Sequence, residues 1–201
     1  MTSPSEFVRT DTMPLELFTI GHSIGHSTHS IDQFLALLGQ HHIDVVADIR
    51  RFPGSRKFPH FNQESLAPDL QEAGIDYRWI EALGGRRHKS ENVQSKNLGL
   101  RNESFRNYAD YMPTEQFREG VGQLLDESGR KRTAFMCSES VFWRCHRRLV
   151  SDHLMMKGID VKHIMPSGEL HLHTLTTGAR VKDGEVNYPP PDADQTRFDF
   201  E

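Results

Sequence analysis

With 201 residues the chain has the length of one ordinary domain, and 36% hydrophobic against 26% charged residues is a globular but polar composition. A net charge of -4 excludes a protein that works by coating itself in nucleic acid, so any such contact needs a local basic patch. No apolar run approaches the ~18 residues of a membrane span, residues 1–13 lack the basic-then-apolar order of a signal peptide, and two cysteines make no disulfide framework. A cytoplasmic protein with no membrane contact is therefore expected.

Residues 1–14 are polar and without a sustained period, which predicts a flexible arm. Leu15 to Ile20 reads as a first strand, followed by a direct repeat, Ile20-Gly21-His22-Ser23 and Ile24-Gly25-His26-Ser27. Either His22 or His26 then leaves the strand and could serve as acid or base. Ser30 is a good N-cap for a helix with Ile31, Phe34, Leu35, Leu37 and Leu38 on its apolar stripe. Ile43 to Ile49 is an apolar run typical of a strand buried on both faces of a parallel sheet. The loop after it, Pro53 to Phe61, interleaves basic and aromatic residues. Asn62 should cap a helix that Gly74 stops, returning Ile75 to Ile80 as a strand.

Glu81 to Glu103 has no apolar period and predicts a long loop that is a lid, a binding loop or mobile. Two helices follow, Ser104 to Met112 and Thr114 to Glu127, parted by Pro113. Thr133 to Met136 is a short strand breaking at Cys137, with a helix expected to open near Val141 or Phe142. Ile159 to Ile164 gives another strand, and Leu170 to Thr174 alternates as an edge strand or ribbon whose His171 and His173 suit an exposed polar face. The whole predicts an α/β fold. It is a single compact domain over 15–182 with a mostly parallel central sheet flanked by helices, a long loop and a small C-terminal strand or ribbon. Residues 183–201 read as a disordered tail.

The chemistry concentrates between Arg132 and Val150, where a carboxylate, a histidine and three arginines lie beside both cysteines. A thiol becomes a nucleophile as the thiolate, which cations and a helix N-terminus favour. Cys137, after the strand and near Arg144 and Arg147, is the reactive candidate, with Glu139 or Asp48 orienting arginines or acting as general base. Cys145 shares a helical stripe with Val141, Leu149 and Met156 and reads mainly as core. The loop resembles a phosphatase anion cradle, but Trp143 stands six residues after Cys137 where that cradle needs arginine.

Arg50 and Arg56 follow one strand end, and Arg144 and Arg147 open the helix after another. If those strands are neighbours, four guanidiniums would surround one anion. Ser55, Gly84, Gly85 and His146 complete the expected ligand-binding set. Cys137, Cys145 and His146 match no zinc-finger spacing, so no cofactor is expected, although a divalent metal stays open.

Gly-His-Ser, Asp48 to Arg50 with Pro53 to Arg56, Leu83 to Gly85, Phe105 to Met112, and Cys137-x-Glu139 through Cys145 to Arg147 occur in this order. Together, over Leu15 to Ile164, they resemble the domain of unknown function family 488. That resemblance implies a compact α/β fold and no particular activity. Relatives usually carry a single Gly-His-Ser, so the duplication leaves both His22 and His26 in play.

The expected function is an enzyme, a hydrolase or transferase, binding a phosphate-bearing small molecule, nucleotide or nucleic-acid end at the sheet's carboxyl edge. Its alternatives are a non-catalytic nucleotide or nucleic-acid binding module and a Cys/His metal-binding redox protein. Oligomeric state is not legible.

Overall fold

The computed structural model describes residues 15–24, 27–89 and 94–191. Its centre is a six-stranded sheet made of β1 (Glu16–Gly21), β4 (Val45–Asp48), β5 (Asp76–Trp79), β6 (Thr133–Cys137), β7 (Asp160–Ile164) and β8 (Leu170–Leu172). The order is β5-β4-β6-β1-β7-β8, parallel except for β8, so the expected α/β class and mostly parallel sheet are what the chain forms. A two-residue ladder, β2 (Ser23–Ile24) with β3 (Ser27–Thr28), follows β1. A small antiparallel ribbon, β9 (Arg180–Lys182) with β10 (Glu185–Asn187), lies near the C-terminus.

The helices are α1 (Ile31–Gln40), α2 (Gln63–Glu72), α3 (Glu103–Tyr111), α4 (Glu115–Ser128) and α5 (Arg147–Met156). Ser30 caps α1 as expected: its hydroxyl accepts from Gln33 N–H while the Gln33 side chain accepts from Ser30 N–H. Gly74 ends α2 with φ 76°, a left-handed backbone that glycine adopts without a Cβ clash. Asn62 precedes α2 but does not cap it, because its side-chain oxygen takes the Ser55 N–H instead. Two apolar clusters cover the sheet's faces. One joins Phe34, Leu38, Leu66 and Leu70 of α1 and α2 to Phe18 and Val46, and the other joins Tyr108, Phe117, Leu124 and Leu149 to Leu17 and Phe135.

Helix α5 begins later than the sequence predicts. Phe142–Arg144 closes a single 3-10 turn, Cys145 is extended at φ -124° and ψ 151°, and α-helical geometry starts only at Arg147. The expected stripe of Val141, Cys145 and Leu149 therefore does not exist, since the extended residue breaks the helical phase.

A second correction concerns residues 183–191, placed by the sequence in an unpacked tail. Val186 and Tyr188 are buried, and the Tyr188 hydroxyl donates to Asp152 Oδ2 at 2.7 Å. Residues 192–201 lie outside the described residues. His173 also departs from expectation: it is buried, while His171 is exposed.

These groups belong to one buried polar chain. The Asp152 carboxylate accepts from Tyr188 O–H, from Thr176 N–H at 2.8 Å and from His173 Nε2 at 2.9 Å. His173 Nδ1 then accepts from His163 Nε2 at 3.0 Å, and His163 Nδ1 from the Thr19 hydroxyl at 2.8 Å. Thr19 Oγ1 accepts from Arg147 Nη1 at 3.0 Å. Each donor and acceptor is used in only one sense, with the Asp152 carboxylate at one end and the Arg147 guanidinium at the other. Thr19 and His163 are direct neighbours across β1 and β7, which lets strand register build the link.

Changing Tyr188 to Phe removes one donor from a buried carboxylate, and Thr19→Val cuts the chain in its middle. Each is expected to cost about 1.5–3 kcal/mol, the range for hydrogen bonds to charged groups. Urea unfolding would show it as a lower midpoint at an unchanged m-value. A midpoint indistinguishable from wild type in both variants would remove the polar chain's structural role.

Candidate functional site

The carboxyl ends of β4, β6 and β1 lie side by side, with Gly21 opposite Cys137 and Asp48 opposite Met136. In an open parallel sheet this edge is where ligands sit. A cavity of about 560 Å³ opens there. Its floor is Cys137, Cys145 and His146, and its walls and mouth include His22, Ser23, Ser138, Glu139, Arg50, Arg51, Phe52, Ser55, Phe58, Gly85, Arg86, Phe105 and Arg144.

The loop from Ser138 to Ser140 is pinned from three sides. Ser23 N–H donates to Ser138 O at 2.9 Å, Ser140 N–H donates to Ser23 Oγ at 3.0 Å, and Arg147 Nη2 donates to the carbonyls of Glu139 and Ser140. A Cβ on Gly21 would overlap the Glu139 carbonyl, so glycine permits this close approach. The second wall is held by α3. Tyr108 and Tyr111 hydroxyls donate to the carbonyls of Leu83 and Ala82, and the Arg87 guanidinium lies 3.7 Å over the Tyr111 ring. These two tyrosines thus position Gly85 and Arg86 at the pocket.

At the floor, His146 Nε2–H donates to Ile49 O at 3.2 Å, which leaves Nδ1 as a lone pair. That nitrogen lies 3.5 Å from Cys145 Sγ and 3.8 Å from Cys137 Sγ. The two thiols behave as a pair sharing one proton. The hydrogen bond to the Cys145 sulfur, then burial, hold Cys137 up at about 12. Burial raises Cys145 as well, but the hydrogen bond from Cys137 and the Arg147 charge more than offset it, bringing Cys145 down to about 6. The sequence favoured Cys137 as the reactive cysteine and Cys145 as core. Cys145 is buried as expected, yet it lies beside Cys137 in the site, where the Arg147 charge favours its thiolate.

Asp48 is wholly buried and taken up by Arg50, whose Nε and Nη2 donate to it, and by the Tyr77 hydroxyl at 2.7 Å. It orients Arg50 and offers no free oxygen edge to the cavity. Arg50 also donates to Phe61 O at 2.8 Å, so its fork is committed within the wall. Arg147 lies beneath the floor, 1% exposed, and Arg56 is exposed outside the cavity lining. The expected ring of four guanidiniums is therefore not formed. Of those four, only Arg144 stands at the mouth with its charge uncommitted.

The arginines that the sequence reading missed are Arg51, paired with Glu81 at 2.9 Å, and Arg86. Arg86 follows Gly84 and Gly85 directly, which is the signal that could have found it. Neither Arg86 nor Arg144 has a carboxylate partner among the described residues. Gly84 does not line the cavity; it packs on Arg51, where a Cβ would sit 2.7 Å from Arg51 Cα. Ser55 lines the cavity, with its hydroxyl accepting from Phe58 N–H at 3.2 Å. Glu139 is half-buried, and its carboxylate faces the Val141 N–H at 3.4 Å.

His26 lies outside the described residues. His22 is buried in the cavity wall, stacked on Phe61 with ring centroids 4.2 Å apart. The Thr28 hydroxyl donates to His22 O at 2.5 Å, so His22 Nδ1–H must donate to Thr28 Oγ1 at 3.1 Å. Its Nε2 lone pair has no partner among the described residues. Burial first, then the positive charge of Arg50, bring this histidine down to about 3.

The floor's Cys-Cys-His group could hold a metal ion, and the described residues contain no helix long and apolar enough to cross a membrane. Residues 30–154 match the model of a protein family described as Domain of unknown function DUF488, and no curated protein matches the chain.

Four buried histidines set a pH dependence, among them His29, which burial lowers. Burial and the Arg50 charge lower His22 to about 3, burial and the Lys157 charge lower His153 to about 4, and burial with His173 and Arg147 lowers His163 further still, all from an ordinary 6.5. Below about pH 6.5 the unfolded chain binds more protons than the folded one, so stability is full above that pH and falls as pH drops. Between pH 6.5 and about 4.5, before carboxylates titrate, unfolding should therefore take up several protons. Thermal midpoints across this range check it, and a flat profile would contradict the neutral buried imidazoles.

Proposed function

The chain belongs to the DUF488 family, and from the pocket built on the matched stretch we propose an enzyme acting on a phosphate-bearing substrate of the nucleotide class. The observation that carries this reading is one cavity that joins a basic mouth to a reactive floor. Arg86 and Arg144 stand at the mouth without a carboxylate partner among the described residues, above two buried sulfurs and a histidine nitrogen fixed beside them. Guanidinium forks suit phosphate oxygens better than any other side chain. Aromatic rings at the same cavity supply the rest of a nucleotide site: Phe52 is 65% exposed, with Phe58 and Phe105 beside it, and a base can stack on such faces.

Enzymatic use is favoured over mere binding because a binding module needs only the mouth. The floor places Cys145, Cys137 and His146 out of water yet open to the cavity, and the buried Arg147 lowers the proton affinity of Cys145 without reaching the ligand itself. His22 adds an unprotonated Nε2 in the same wall, able to take a proton from a substrate or water.

Binding of adenosine 5′-monophosphate, followed by calorimetry at low salt, tests the mouth. Arg144→Ala and Arg86→Ala are each expected to weaken it about tenfold or more, the cost of a lost charge-assisted hydrogen bond, while Cys145→Ser keeps the affinity and loses turnover. Affinity should also drop with added salt. Unchanged affinity in both arginine variants would overturn the proposal.

A further inference from the structure

The geometry points to a zinc site in the pocket floor, with Cys137, Cys145 and His146 as three ligands and the fourth position open to the cavity. The ligand atoms lie within 4.8 Å of one another, and His146 Nδ1 is 3.5 Å and 3.8 Å from the two sulfurs. Zinc bonds of ~2.3 Å to sulfur and ~2.0 Å to nitrogen at tetrahedral angles put nitrogen and sulfur about 3.6 Å apart. The floor already has the two nitrogen–sulfur edges of that tetrahedron, and the sulfurs lie within 4.8 Å of each other.

Two further features prepare the nitrogen. Ile49 O takes the Nε2–H, so the tautomer leaves Nδ1 free, the outer-shell device common to metal-binding histidines. Gly85 lies over the imidazole, and a Cβ there would overlap Nδ1 and its ring neighbours. Only glycine leaves the lone pair clear. Two thiolates and one imidazole suit zinc and not magnesium or calcium, which prefer oxygen. Three protein ligands with an open position are the pattern of catalytic zinc, where the metal activates a water or polarises a substrate oxygen. All three ligands face the cavity below Arg144 and Arg86, so a phosphate held there would meet the open position.

Metal uptake needs no substrate and anion binding needs no metal, which lets each reading fail alone. The test is metal analysis of the purified full-length protein under reducing conditions, followed by reconstitution of metal-free protein with cobalt(II) alone. Expected are one zinc per chain and, with cobalt, the intense visible bands of a tetrahedral site together with thiolate charge-transfer absorption. That absorption should fall in Cys137→Ser and in Cys145→Ser, and Gly85→Ala should weaken zinc at least tenfold with its circular dichroism unchanged. Wild-type protein that takes up no stoichiometric zinc, or whose cobalt spectrum is weak, six-coordinate and without thiolate charge transfer, would overturn the assignment.

Discussion

A guanidinium buried beneath the site is the constraint on which the remainder depends. Arg147 is 1% exposed, and no carboxylate touches it among the described residues. Burying such a charge costs several kcal/mol unless hydrogen bonds and a counter-charge meet it. The chain meets it in two directions. Towards the site, Arg147 holds the carbonyls of Glu139 and Ser140 and favours the thiolate of Cys145. Away from it, Thr19, His163 and His173 pass the polarity on to Asp152, itself held by Tyr188 and the Thr176 N–H. One side chain thereby ties β1, β6, β7, the start of α5 and the segment around Tyr188 to the shape of the pocket. It also explains why α5 starts where it does: the 3-10 turn and extended Cys145 place Phe142 in a stack 3.5 Å from His163 and turn Cys145 towards Cys137.

Much of the fold was legible because its signals are local. The apolar runs around Phe18, Val46 and Phe135 mark strands buried on both faces, and Ser30 with Gln33 marks a helix start by hydrogen bonds within four residues. Family membership was legible too, since its motifs are ordered along the chain. The misses share a different cause. Tyr188 beside three prolines reads as a tail because its partner, Asp152, lies 36 residues away in sequence. His173 reads as surface because the alternation was carried one residue past β8, which ends at Leu172, while its partner Asp152 lies 21 residues away in sequence.

In the site, the sequence pointed to the sheet edge where the cavity opens, but not to how the residues there pair with one another. Asp48 and Arg50 look like two independent actors, yet a strand end lets residues two apart close a salt bridge that uses up both. Cys145 looked like core because a helical period was carried through a stretch where the backbone is extended for one residue. Arg86 escaped notice although it directly follows Gly84 and Gly85, because a glycine pair suggests a close backbone approach without saying which neighbouring side chain reaches a cavity. Which arginines stay uncommitted depends on distant partners. For that reason the basic mouth is formed by Arg144, which the sequence reading named, and by Arg86, which it did not.

The pocket now has a layered logic. Asp48 and Arg50 neutralise each other in its wall, the buried Arg147 lies beneath the sulfur floor, and the mouth carries Arg86 and Arg144, neither with a carboxylate partner among the described residues. The most direct check is a crystal structure of the protein soaked with adenosine 5′-monophosphate at low salt. The expected result is a phosphate within hydrogen-bonding reach of Arg144 or Arg86, above the Cys145 sulfur, with the base against Phe52, Phe58 or Phe105. A saturated crystal with the nucleotide elsewhere, or with nothing bound between that mouth and the floor, would contradict it.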